Sequence, residues 1–381
     1  MRNILLALVM AGFFSNVACA QSSVTLYGLL DAGVTYTNNQ NGHTNVQQTS
    51  GSDDFNRWGI RGVEDLGDGL HAVFTLENGF LINSGAIGEN GRIFGRQAFV
   101  GLSSDQYGQV TLGRQYDSVI NYLSTLSLSN TQYGGAEFAH PFDNDNFNDS
   151  FRISNSVKFQ SVDYSGFKFG GLYGFSNDAG AFANNRAYSF GASYNYGGLT
   201  LATAYLQLNE NVSSDVLTNT AGVLNGDNIF TAGRTRTWGA GLQYVFGAAT
   251  ADFVFTQTAL NQAFGIAALN TGTSGGFALN GGSAHFNNYE INGIYNLTPK
   301  WTVAGSYTYT DGSLNSANPK WNQFNLQTAY SFTKRTEVYL QGAWQHISPD
   351  SLGLSAAING LSAASSNGNQ VAVTAGIFHR F

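Results

Sequence analysis

The chain has 381 residues, with 17 Lys and Arg against 24 Asp and Glu, 47 Gly, 19 Tyr, 4 Pro and 11% charged residues. That mixture is poor for helices and suits twisted strands that turn often, which argues against a helical bundle. The acidic balance offers no basic footprint for nucleic acid. A mean hydropathy of −0.13 excludes nothing, because strands that alternate apolar and polar residues average to neutrality while still spanning a bilayer.

The N-terminus reads as an export signal: Arg2, an apolar stretch from Ile4 to Phe14, then Ala18-Cys19-Ala20 in a small-x-small pattern. Residues 1–20 are expected to be cleaved, leaving 21–381 as one barrel domain that starts at Gln21. The one cysteine, Cys19, departs with the signal, and no disulfide chemistry remains. A lipid anchor on Cys19 is disfavoured, since Val24 already begins a strand and leaves almost no tether. Losing Arg2 leaves 16 basic and 24 acidic residues, a net charge of 16 − 24 = −8.

Taking turns as punctuation, sixteen strands are expected near 24–37, 55–65, 70–80, 94–104, 108–116, 152–164, 167–176, 186–196, 199–209, 234–246, 249–260, 285–297, 300–310, 320–332, 335–347 and 369–381. Short connections such as Asp65-Leu66-Gly67-Asp68-Gly69 alternate with long polar ones at 38–54, 210–233, 261–284 and 348–368. The first strand sets Val24, Leu26, Gly28, Leu30 and Ala32 on one face. The last eighty residues alternate most clearly. Trp301, Val303, Gly305, Tyr307 and Tyr309 oppose Thr302, Ala304, Ser306, Thr308 and Thr310; Phe324, Leu326, Tyr330 and Phe332 oppose Gln323, Asn325, Gln327 and Ser331. A sheet with one oily face and one face of Thr, Asn and Gln is wet where a soluble protein would be dry. The fold expected is therefore all-β: a transmembrane antiparallel 16-stranded β-barrel, closed because lipid does not tolerate sheet edges. Sixteen strands enclose more space than side chains fill, so the bore is wet unless something enters it. The 35-residue connection 117–151, the longest, is the candidate. Short turns and both termini are expected to face the periplasm of a bacterial outer membrane.

The chain resembles the trimeric general porins of Gram-negative bacteria, in particular the beta-proteobacterial branch of Burkholderia, Bordetella and Neisseria. The resemblance spans the mature chain and rests on Ser23-Val24-Thr25-Leu26-Tyr27-Gly28, Arg57-Trp58-Gly59-Ile60-Arg61-Gly62-Val63-Glu64-Asp65-Leu66-Gly67, Gly95-Arg96-Gln97-Ala98-Phe99-Val100-Gly101-Leu102, Leu112-Gly113-Arg114-Gln115, Asn155-Ser156-Val157-Lys158-Phe159 and a terminal Phe381. It implies a homotrimer, a water-filled channel for passive diffusion of ions and small hydrophilic solutes, an inward-folded third loop at 117–151, and no cofactor. The family's third loop often carries Pro-Glu-Phe-Gly-Gly; Gln132-Tyr133-Gly134-Gly135 stands in that place here, so an acidic role does not transfer to Gln132.

The resemblance further implies that Arg57, Arg96 and Arg152 line the wall at a constriction and face acids on the third loop. Parity puts Arg61 on the face of Arg57, and a lipid-facing Arg near the midplane costs about 2–4 kcal/mol, so mid-strand arginines belong to the lumen. Arg61, Arg114 and Lys158 are expected to help the three, with Glu137, Asp143 and Asp145 opposite them. Charges about 7 Å apart at an effective dielectric near 20 interact by about 2 kcal/mol, and screening over about 8 Å confines that field to a narrow eyelet.

Other patterns carry less. Asp143-Asn144-Asp145-Asn146-Phe147 begins like a calcium loop, but Phe147 occupies a ligand position and the required Gly does not follow. The six histidines lack paired zinc spacing, and no Gly-x-Ser-x-Gly elbow occurs. Trp301, Tyr307, Tyr309, Tyr330, Phe332 and Trp344 fit an aromatic girdle, while Tyr27 and Tyr339 have luminal parity, too few for a sugar slide. The alternatives are an adhesive barrel working through its outer loops and, further off, an outer-membrane hydrolase.

Overall fold

A computed structural model describes residues 22–211, 222–266, 277–315, 317–348 and 353–381. The expected signal segment 1–20 lies outside these residues, as do parts of three long connections. Strand β1 (Ser23–Gln40) pairs with both the second and the last strands of the chain. The next segments are β2 (His43–Ser50), β3 (Arg57–Gly67), β4 (Leu70–Gly79), β5 (Gln97–Ser104), β6 (Gly108–Gln115), β7 (Ile153–Gln160), β8 (Phe167–Gly174), β9 (Arg186–Tyr196) and β10 (Leu199–Asn209). They continue as β11 (Phe230–Phe246), β12 (Ala249–Ile266), β13 (Phe277–Thr298), β14 (Trp301–Leu314), β15 (Lys320–Ser331), β16 (Thr336–Ile347) and β17 (Asn369–Arg380).

Every ladder is antiparallel between chain neighbours, and β17 returns to β1, so the sheet is closed. Because β2 and β3 both pair with β1, in successive stretches, they form one stave, and the barrel has sixteen. Closure finishes at the C-terminus: Gly28 N–H donates to the Phe381 carbonyl (3.1 Å) and Phe381 N–H to that of Gly28 (3.0 Å). A Cβ on Gly28 would sit 2.2 Å from the Phe381 ring, so only glycine admits the terminal ring there.

Alternation places the solvents as the sequence requires. Val24, Leu26, Ile291, Phe324, Leu326 and Leu340 are 51–68% exposed on the outer face. On the inner face Thr308, Thr310, Gln323, Gln327, Gln341 and Thr374 are almost fully covered. An apolar outer face suits lipid, where every strand hydrogen bond is made within the closed sheet. Among the described residues no helix is long and apolar enough to cross a membrane.

Two departures from the sequence reading concern the interior. Residues 38–54 are not a polar loop: the wall continues through β1 and β2, and only 51–56 breaks it, turning into the barrel. Nor is the inner face wet throughout. Phe142, Phe147 and Phe151 pack with Phe230, Phe286, Leu314 and Trp321 in a dry core inside the barrel. Phe142 meets Trp321 edge-on, with ring centroids 5.8 Å apart. Lipid dictates only the outer face; the inner one takes apolar residues wherever a loop covers them.

Candidate functional site

The segment between β6 and β7 turns through short helical pieces and lies against inward-facing side chains. Ser127 Oγ donates to Glu290 Oε2 (2.7 Å) and Leu128 N–H to Glu290 Oε1 (3.2 Å). Asn144 and Asn288 join side chain to side chain (2.9 Å), and Thr374 Oγ1 donates to Glu137 Oε1 (2.6 Å). His140 sits between Asp145 (2.7 Å) and Glu290 (2.9 Å) and is 1% exposed. Burial disfavours its charge, but the two carboxylates more than offset that and push it up to about 10. Burial instead raises Glu137 and Asp143 to about 7 each.

Small wall residues make space for the loop. A Cβ on Gly191 would lie 2.5 Å from the Tyr122 ring, and one on Gly241 would lie 2.8 Å from Leu126 Cδ1. The connection after β16 adds a second layer, with Asn359 Nδ2 donating to the His140 carbonyl (2.7 Å).

The turn 51–56 reaches the same loop from the opposite wall. Asp53 Oδ1 accepts from Gly134 N–H (3.0 Å) and Gln327 Nε2 (2.7 Å). Burial pushes its carboxyl well above the usual range. The same turn delivers Asp54, which holds Arg57 in a two-pronged pair (2.7 and 2.8 Å).

Beside that pair the charges concentrate. Arg96, 3% exposed, donates from Nε to Glu77 (2.9 Å) and from Nη2 to Asp149 (2.9 Å) and Tyr116 Oη (2.8 Å), with Glu89 at 3.7 Å. Arg152 pairs with Asp149 (2.9 Å) and Glu89 (3.6 Å) and lies over the Tyr116 ring at 5.4 Å. Three guanidiniums thus share four carboxylates, a local balance of 3 − 4 = −1.

Open space runs alongside. A cavity of about 450 Å³ lies between Arg57, Arg96 and Glu77 on the wall and Thr131, Gln132 and Asp149 on the loop. A second, of about 440 Å³, continues toward the short-turn end past Arg57, Arg61 and Tyr27. A third, of about 510 Å³, opens between Tyr133 and the turns carrying Lys300, Lys334 and Arg335. This is a barrel narrowed by a loop, with polar space left on one side.

A family model for Gram-negative porins matches residues 6–349. The chain belongs to the Gram-negative porin family. An outer membrane porin protein of Bordetella pertussis is 32% identical over 369 residues, covering 90% of this chain and 94% of its own. Among solved structures, the anion-selective porin from Comamonas acidovorans superposes with a TM-score of 0.73 at 23% identity, covering 94% of this chain and 100% of its own. The trimer form of OmpT, an outer membrane protein of Vibrio cholerae, gives 0.66 at 15% identity, over 94% and 99%. This porin is an outer-membrane channel for passive diffusion.

The porin's geometry brings Arg57, Arg96 and Arg152 to one cluster and sets other acids against them than those the sequence pointed to. Glu137, Asp143 and Asp145 do not reach it. Glu137 is buried against Thr374; Asp143 accepts the N–H groups of Asn148 (2.9 Å) and Ser150 (3.2 Å) within its own turn; Asp145 belongs to His140. Their spacing in the chain places them on the loop, yet the loop spends them on its own seat and its docking. The carboxylates that meet the arginines are Asp54, Glu77, Glu89 and Asp149.

The helpers also separate. Arg114 is buried at the long-loop end, bound to the Gly95 carbonyl (2.6 Å), to Ser154 (2.8 Å) and to Asp227, which Arg92 shares. Lys158 is buried behind the cluster and donates to the Tyr116 carbonyl (3.1 Å). Arg61 is exposed in the lumen, 5.3 Å from the Tyr27 ring. Tyr27 and Tyr339 do point inward, donating to Glu77 (2.8 Å) and Asp31 (2.7 Å). Sequence reasoning missed Arg380, Glu77 and the 51–56 turn. Luminal parity was a usable signal for Glu77, because a carboxylate facing lipid is costly.

Proposed function

We propose that solute crosses this porin between the 117–151 loop and the wall formed by β3, β4 and β5. The cluster of Arg57, Arg96 and Arg152 with Asp54, Glu77, Glu89 and Asp149 fixes the bore there. The observation that carries this is Arg96, which ties wall to loop by pairing with Glu77 and Asp149 at once. Charge-assisted, forked hydrogen bonds hold planar groups at defined distances, so the cluster acts as a spacer as well as a polar lining. Wall cation and loop anion meet here in direct contact, Arg96 on Asp149, and charges paired this closely project little field into the bore. Ion preference therefore does not follow from these three arginines, nor from likeness to an anion-selective porin of the same fold.

Replacing Arg57, Arg96 and Arg152 together by Ala frees the loop edge and widens the passage. Single-channel conductance in planar bilayers should rise, and larger sugars should pass; an unchanged conductance would overturn the assignment. Transport needs no chemical step, because a wet, hydrogen-bonding path across about 30 Å of hydrocarbon already removes the barrier. We further infer a cleaved signal at 1–20 and a homotrimer. The solved trimer of the same fold and the apolar outer face of β1, with Val24 at 68% and Leu26 at 60% exposure, support the trimer.

A further inference from the structure

Arg380 lines all three cavities described above. Its Nη1 donates to Gln132 Oε1 of the loop (3.2 Å), and its guanidinium lies 4.5 Å from the Phe378 ring. It stands where the space below the cluster divides, one branch passing Arg61 and the other Lys300, Lys334 and Arg335.

It has no direct ion-pair partner, although Glu337 and the terminal carboxylate of Phe381 lie near it. Among the described residues no carboxylate lies within 4.0 Å of Arg380 or of Arg61. Glu337 lines one of the cavities but lies beyond that distance and accepts instead from Ser331 (3.2 Å). The acids in the upper cavity are Asp54, Glu77 and Asp149, each paired to an arginine, and Asp53, which burial holds toward its neutral form. Lys158, also without a carboxylate at ion-pair distance, is buried and lines none of the three spaces. Charge therefore becomes more positive toward the short-turn mouth. Near-neutral pairs, Arg57–Asp54 and Arg96–Glu77 among them, occupy the narrows; the branches below add Arg61 and Arg380 against the terminal carboxylate of Phe381, and Lys300, Lys334, Arg335 and Arg380 against Glu337.

We propose that Arg380, seconded by Arg61, is the residue that sets ion preference in this porin, favouring small anions, while the three matched arginines set the bore. Like charges in a narrow, partly desolvated passage exclude cations by their uncompensated field, and a paired guanidinium contributes little of that field. This rests on the diffusion path proposed above.

The test is the reversal potential in a KCl gradient for the full-length porin in planar bilayers, with Arg380→Gln, Arg380→Lys, Arg380→Glu and Arg61→Gln. One unit charge about 7 Å from a passing ion in water changes its local concentration about threefold. Arg380→Gln should accordingly lower the chloride-to-potassium permeability ratio by about sevenfold, because the two ions respond in opposite senses, and Arg380→Glu by about fiftyfold, while Arg380→Lys keeps it. Arg61→Gln should shift it in the same direction. Because position 380 adjoins the closing residue Phe381, Arg61→Gln carries the test should the 380 variants fail to assemble. Conducting variants with an unchanged reversal potential overturn the proposal and leave the diffusion path standing. A wild-type protein that inserts and passes no current overturns both.

Discussion

Arg96 satisfies Glu77, Asp149 and Tyr116 while almost fully covered, so its worth lies in geometry more than in charge. Removing one member of such a buried network strands the others at a cost of about 3–5 kcal/mol. Arg96→Ala should lower the temperature at which the folded barrel loses its compact mobility on unheated gels; Arg96→Lys keeps the charge but loses the fork and should fall between the two. Equal behaviour of all three proteins would show that the pairs are spectators. A second residue-scale expectation concerns Gly191, where a Cβ meets the Tyr122 ring at 2.5 Å. Gly191→Val should leave the strand intact and dislodge the start of the loop, seen as faster hydrogen exchange over residues 117–126. Unchanged protection there would mean that the loop docks without this contact.

The strands were legible in the sequence and the seating of the loops was not. Lipid imposes a period of two on every stave, so Trp301–Leu314 and Lys320–Ser331 announce themselves by local alternation alone. Loop docking joins residues far apart in the chain: Ser127 reaches Glu290 across 163 positions and Gln327 reaches Asp53 across 274. Loop composition therefore showed that acids were available but not which ones would be consumed in holding the loop. The runs of small luminal residues Ser189, Gly191 and Ser193 on β9 and Gly239 and Gly241 on β11 were the signal that something docks there. The loop's charges also give it a pH dependence. Glu137 and Asp143 titrate near 7 when docked, above the ordinary carboxylate range, so docking binds protons and weakens as pH rises from about 4.5 through 7. His140, raised to about 10, adds stability that is complete below about 6.5 and is lost as pH climbs through 10. Both effects have one sign, so hydrogen-exchange protection of 117–151, corrected for the intrinsic rate, should fall from pH 5 to pH 9. Protection that rises over that range would contradict the assignment of these buried protons.

At the scale of the whole molecule, closure through Phe381, an outer face of aliphatic and aromatic residues, and a partly filled interior leave polar space beside the loop. The folded protein should migrate as a large, heat-sensitive species on unheated gels and collapse to a monomer band on boiling; a monomer before heating would argue against the trimer. The passage itself is tested most directly by swelling of liposomes reconstituted with the purified protein in isotonic sugars of increasing size. A wet bore narrowed by a loop should give swelling that is rapid for pentoses and falls steeply through disaccharides and larger sugars. Swelling no faster than that of protein-free liposomes, with correctly inserted barrels, would show that the interior is closed.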